Sequence, residues 1–224
     1  MYLPQAAENL AQRYERQAVL RALVQLIPFN MGSAIDTAVL TRLQTVRAER
    51  AREFFDELAK NESRLTPELL ESNEFLHCFY TTSEAALRTS QFEKIRMFAR
   101  LLSESMQQGM FSDIDEYEEL LGILIDLSNR ELTVLILVNR YETAYPKIDG
   151  ENELQRANRY WDSLVLELSR TLSVPSEEVD SILLRLNRSG CYETFTGTYW
   201  DYTGGKGKTT PLYRRIKSIA LDAD

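Results

Sequence analysis

Histidine is almost missing from this chain, with one residue, His77, in 224. A multi-histidine metal centre is therefore excluded, and any nucleophilic arrangement built on an imidazole has to use that single ring. Cysteine is nearly as rare. Cys78 and Cys191 lie far apart, without CxxC or Cys/His spacing, and read as two buried free thiols of a reducing compartment. Nine glycines and six prolines are too few for a collagenous or linker-like chain. The apolar run near the N-terminus is short: Ala22-Leu23-Val24 and Leu26-Ile27 are interrupted by Gln25 and stopped by Pro28. A spanning helix needs roughly 20 mostly apolar residues. A secretory signal does not place Glu8, Arg13, Glu15 and Arg16 before its apolar patch. The expectation is a cytoplasmic protein with no membrane segment.

What is present is ordinary for a soluble globular chain, with 44% apolar and 27% charged residues. The length allows one large domain or two smaller ones. Acidic groups outnumber basic ones 34 to 26, for a net charge of −8. That excludes a protein that coats nucleic acid with its whole surface.

The first 125 residues read as helices. Leu10, Tyr14, Val19, Leu20, Leu23 and Leu26 predict one helix from about Pro4 to Leu26, closed by a break over Pro28, Asn30, Gly32 and Ser33. A second runs from about Ser33 to Lys60, with Ile35, Val39, Leu43, Val46, Phe54 and Leu58 inward and Arg42, Arg47, Arg50 and Arg52 largely outward. Thr66-Pro67-Glu68 has the form of a helix start, leading to Phe75 and Phe79, with a restart at Thr82 or Ser83. Between Ser83 and Gln108, Leu87, Phe92, Ile95, Phe98, Leu101, Leu102 and Met106 recur at helical steps, and Gly109 is the natural stop. Asp113 or Asp115 starts a helix over Ile114–Leu127. Ser128 and Glu131 form a capping box ahead of Leu132 to Val138. This apolar run also fits a buried strand, but the box favours a buried helix to about Tyr145. Lys147 to Glu153, with Asp149-Gly150 as the turn signal, reads as a surface loop.

The last third has the most specific order. A helix through Leu164, Leu168 and Leu172 ends near Ser173, Val174-Pro175 makes a tight connection, and Ser176 caps a new helix with Val179, Ile182, Leu183 and Leu186 inward. Gly190 ends it. Cys191 to Thr196 is β-rich, and a turn at Gly197 or at Gly204–Gly207 would return a hairpin through Thr209 and Thr210. Pro211 opens a final helix. Residues Leu168–Val179 followed by Leu183–Tyr192 resemble the centre of the winged helix-turn-helix superfamily. The resemblance implies that Leu132–Tyr145 is the first helix, that the Ser176–Ser189 helix enters the DNA major groove, and that the hairpin wing touches phosphate or the minor groove. It departs in the polar segment from Pro146 to Arg159 and in Glu177 and Glu178 at the start of the reading helix. Across the chain, Ile27–Gly32, Glu93–Leu102 and Leu127–Leu132 resemble helical bacterial proteins of prophage and abortive-infection type, which implies a link to phage defence.

Charge is distributed unevenly. Residues 1–126 hold 13 basic and 20 acidic groups, and residues 127–224 hold 13 and 14. Between Arg185 and Lys217 seven basic groups meet two acidic ones, Glu193 and Asp201. Arg185, Arg188, Lys206, Lys208, Arg214 and Arg215 are thus the candidate nucleic-acid contacts. Other patterns carry less. Gly204-Gly205-Lys206-Gly207-Lys208-Thr209-Thr210 lacks the P-loop's first glycine, since Tyr202 stands there. Glu74-Phe75-Leu76-His77 is half of a di-iron motif whose second histidine does not exist. Tyr192, Phe195, Tyr199, Trp200 and Tyr202 read as hairpin packing more than as stacking platforms.

The sequence therefore predicts a mainly α protein, with a helical body over residues 1–127 and a winged-helix-like module with a small β-hairpin over residues 128–224. No catalytic pattern, cofactor site or metal site is expected. The expected role is non-enzymatic binding or regulation, with double-stranded DNA as first partner, a protein partner as second, and a homodimer as a plausible assembly.

Overall fold

A computed structural model describes residues 5–27, 37–61, 65–108, 113–195 and 205–221. The fold is mainly α with one small antiparallel sheet. The chain divides into two compact units, Met1–Leu124 with Ile219–Asp224, and Ile125–Ser218. The last residues group with the first unit, where the sequence reading placed them in the second. Arg100 donates to the Leu221 carbonyl at 3.4 Å.

In the first unit, α1 (Gln5–Arg13) and α2 (Ala18–Leu26) replace the single helix expected there. No glycine or proline marks the interruption. A tertiary anchor does: Arg13 binds Asp56 through Nε and Nη2 at 3.0 and 3.1 Å, and the Tyr14 hydroxyl donates to the same carboxylate at 2.7 Å. Asp56 lies on α3 (Thr37–Ala59). The Tyr14 ring packs on Phe55, which joins Phe54, Phe75 and Phe79 in an aromatic core with centroid spacings of 5.7–6.3 Å. Helices α4 (Asn73–Arg88) and α5 (Phe92–Gln108) close this core.

Several local details differ from the sequence expectation. Thr66-Pro67 opens only a 3₁₀ turn, and α4 starts afresh at Ser72, whose hydroxyl accepts from the Phe75 amide. No new helix starts at Thr82 or Ser83. Their hydroxyls donate back to the carbonyls of Cys78 and Tyr80, so they are satisfied inside α4 and are not available as caps. The apolar pattern expected from Ser83 to Gln108 is broken at Thr89–Gln91 between α4 and α5. Asp113 is the start signal of α6 (Ile114–Asp126), accepting from the Glu116 amide. The break over Pro28–Ser33 and the Gly109 stop lie outside the described residues.

Helix α5 is joined to α3 by a charged ladder. Glu53 pairs with Arg96 at 2.5 Å and Glu57 with Arg100 at 2.6 Å, while Lys60 reaches Glu57 at 2.7 Å. Both helices offer partners at four-residue spacing, so the charges meet in register. Glu57 is buried, which alone would raise its pKa, but Lys60 and Arg100 outweigh burial and lower it. Arg50, expected on a solvated face, donates instead to the Leu87 carbonyl in the last turn of α4 at 2.7 Å.

The second unit begins with α7 (Asn129–Ala144), a helix over the continuous apolar run. Leu132, Val134, Leu135, Leu137 and Val138 are all buried. The loop expected over Lys147–Glu153 is followed at once by a short helix not expected there, α8 (Glu153–Asn158), started by an Asn152/Gln155 capping box. From α8, Arg156 donates to the carbonyls of Tyr145 and Glu142 and so covers the orphan C-terminal acceptors of α7. Next come α9 (Trp161–Leu172) and α10 (Ser176–Leu186). Their connection is closed by the Val174 amide on the Ser169 carbonyl at 3.1 Å. Pro175 occupies the cap position of α10, and Ser176, expected as the cap, is its first helical residue. Strands β1 (Tyr192–Thr194) and β2 (Gly207–Thr209) pair in the register Tyr192–Thr209, Glu193–Lys208 and Thr194–Gly207. Thr210 caps α11 (Pro211–Ile216).

Ser173 turns the chain between α9 and α10 in the left-handed region, with φ at +53°. A side chain there is strained and glycine is not. Ser173→Gly is expected to stabilise the protein by about 0.5–1 kcal/mol, after the larger unfolded-state entropy of glycine is offset. Chemical denaturation would measure it, and a loss of stability would contradict the assignment.

Candidate partner-binding surface

Two glutamates of α7 position the elements that carry the candidate residues. Glu131, only 1% exposed, completes the capping box: its carboxylate accepts from the Ser128 amide and hydroxyl, both at 2.7 Å, while its own amide donates to the Ser128 hydroxyl. Its other oxygen accepts from Arg185 Nε at 3.0 Å and faces Arg188 Nη2 at 3.6 Å. The far end of α10 and the turn after it are thereby tied to the start of α7. Burial alone would raise the Glu131 pKa. The Ser128 hydrogen bonds, with Arg185 and Arg188, outweigh it and hold the carboxylate below its ordinary range.

Glu142, also buried, does the same for the hairpin. It accepts from the Thr209 amide at 2.8 Å and from the Thr209 hydroxyl at 2.5 Å. These bonds give the glycine- and lysine-rich segment a structural account. Gly207 is required by close approach, because a Cβ there would lie 2.3 Å from the Glu193 carbonyl and 2.5 Å from the Tyr192 ring. Lys208 pairs with Glu193 across the strands at 2.9 Å. Thr209 holds Glu142, and Thr210 caps α11.

The six predicted contacts are consequently not brought into one patch of unengaged charge. Arg185 and Arg188 converge on Glu131. Lys208 is matched by Glu193, and Lys206 donates to the Asn158 side chain at 2.6 Å. Arg214 donates to the Thr209 carbonyl at 3.2 Å. Arg215 is exposed. Sequence reasoning missed Glu131, Glu142, Glu193 and Asn158 as the partners, although the Glu131 capping box was legible. Of the aromatic cluster, Tyr192 is buried with its hydroxyl on the Gly205 carbonyl. Tyr199, Trp200 and Tyr202 lie outside the described residues, as do Gly197 and Gly204.

The solvent face of α10 has a definite order. Glu177, Glu178 and Asp180 occupy its N-terminal half, Leu184 is 68% exposed, and Arg185 and Arg188 follow. The opposite face, Val179, Ile182, Leu183 and Leu186, is buried.

The remaining candidate chemistry is dispersed. His77 is exposed and pairs with Glu118 at 2.7 Å. Cys78 is buried and its thiol is pushed up to about 11, chiefly by desolvation. Cys191 is buried and likewise raised by desolvation. Among the described residues no three His, Cys, Asp or Glu side chains are grouped as metal ligands, and no helix is long and apolar enough to cross a membrane. No protein-family model, curated protein or solved structure matches the chain.

Glu131→Gln retains the shape of the capping box but removes the charge that Arg185 and Arg188 meet. It is expected to cost about 1–2 kcal/mol, because both arginines are half exposed and regain water. The lowered pKa fixes the sign of the pH dependence. The stabilisation is complete above the ordinary glutamate value near 4.5 and is lost as pH falls through the lowered one. Urea denaturation between about pH 3 and 7 should therefore show the difference between wild type and variant shrinking on acidification.

Proposed function

We infer that the chain is a non-enzymatic binding protein whose C-terminal unit docks a protein partner through the exposed face of α10. The order α7, α9, tight turn, α10 and hairpin supports the winged-helix reading of this unit, in which α10 is the recognition element. The observation that carries the choice of partner is the makeup of that face. A DNA-reading helix presents cations and amide donors to phosphate and base edges. Here three carboxylates lead, an exposed leucine sits at the centre, and the cations come only at the end. An exposed apolar side chain ringed by charge is the pattern of a protein contact. The resemblance to prophage and abortive-infection proteins gives this docking role a setting in phage defence.

The test is a titration of labelled duplex DNA at low and at physiological salt. Wild type would be compared with Lys206→Ala/Lys208→Ala and with Arg188→Ala. A docking protein shows no salt-dependent association with DNA. Binding that weakens with salt and in either variant would overturn this reading in favour of DNA.

A further inference from the structure

We propose that the partner of the α10 face is a second copy of this chain, docked helix to helix in antiparallel orientation. The inference rests on the protein-docking reading and names its occupant.

The argument is one of self-complementarity. Residues 177, 181 and 184 fall on one stripe of α10 at 3.6 residues per turn, residues 178 and 185 flank it on one side, and Arg188 follows in the 3₁₀ turn Asn187–Ser189 that continues the helix. Every one of these six side chains is exposed. The stripe is acidic at its start and basic at its end. Two copies laid parallel set carboxylate against carboxylate and guanidinium against guanidinium. Reversing one copy about a two-fold axis near Ile182 brings Glu177 level with Arg188 of the second copy. The same operation brings Glu178 toward Arg185 of the second copy, on the matching flank. Ser181 comes level with Leu184, so a small residue meets the exposed leucine.

Each contact occurs twice, as a two-fold interface requires. A uniformly acidic or basic partner would match only half of this stripe, whereas a reversed copy meets both its acidic start and its basic end. Attachment to Glu131 does not prevent the pairing. Arg188 is 62% exposed and contacts Glu131 through Nη2 at 3.6 Å, and its fork carries further N–H donors for a second carboxylate. The 11-residue helix spans only about 16 Å, so the interface is below standard size and the dimer is weak, dissociating in the micromolar range.

Sedimentation of the full chain from about 1 to 200 µM reads this directly. Wild type is expected to move from monomer to dimer across the range. Leu184→Asp should weaken dimerisation by at least about tenfold, as should Glu177→Arg and Arg188→Glu individually. Each homodimer of the charge variants sets like charges together twice. An equimolar mixture of Glu177→Arg and Arg188→Glu restores both opposite-charge pairs and should associate as wild type does.

A wild type that stays monomeric to 200 µM would overturn the proposal, as would a dimer insensitive to Leu184→Asp or a mixture that fails to associate. If Arg188→Glu does not fold by circular dichroism, Leu184→Asp and Glu177→Arg decide alone, both being surface changes. A monomeric wild type that also ignores DNA removes the self-pairing but leaves the docking reading standing. Salt-dependent DNA binding removes the docking reading itself.

Discussion

The organisation of the C-terminal unit depends on two carboxylates buried on one helix. A buried glutamate is tolerated only where its charge is met by donors or cations of fixed geometry. On α7 that requirement is satisfied at both ends by distant parts of the chain. Glu131 is met by Ser128, Arg185 and Arg188, and Glu142 by the amide and hydroxyl of Thr209. The first set holds α10 and the second holds β2, so one helix determines where both α10 and the hairpin lie. Hydrophobic burial on the inner face of α10 supplies attraction without direction. The two carboxylates supply direction.

The first unit uses the same device. Glu57 is buried between Lys60 and Arg100, and Glu53 with Arg96 repeats the pairing one turn earlier. This ladder accounts physically for the segment Glu93–Leu102. In Glu93–Leu102 the two arginines four residues apart are the α5 half of the ladder, while Ile95, Phe98, Ala99, Leu101 and Leu102 are buried in the core. Likewise, Leu127–Leu132 contains the capping box of α7. These two stretches have structural duties.

Local physics was legible in the sequence where partners lie within one turn. The Ser128/Glu131 box separated a buried helix from a strand, and Asp113 and Pro211 marked helix starts. The same rule, applied to Asn152 and Gln155, would have found α8. What could not be read were partners separated by 43, 54 and 67 residues: Arg13 with Asp56, Arg185 with Glu131, and Thr209 with Glu142. The first divides α1 from α2 without any helix breaker. The other two change the meaning of the charge count. Counted along the chain, Arg185 to Lys217 is a strongly basic stretch, but Arg185, Arg188 and Lys208 meet carboxylates and Lys206 and Arg214 meet amide oxygens that a running sum does not pair with them.

The charge order of α10 has two separate explanations. Acidic side chains at a helix start and basic ones at its end are favoured by the helix dipole, by about 0.3–1 kcal/mol each. Glu177, Glu178 and Arg185 would therefore be favourable in a helix with no partner. Glu131 adds a further structural reason for Arg185 and Arg188. Leu184 has no such account. It is 68% exposed at the middle of the face, where neither the dipole, the core nor an ion pair requires a leucine. An ionic pattern that stabilises the monomer also specifies an orientation for whatever packs on it, and a central apolar residue gains from being covered. The charges can thus serve folding and docking together, while Leu184 alone separates the two roles.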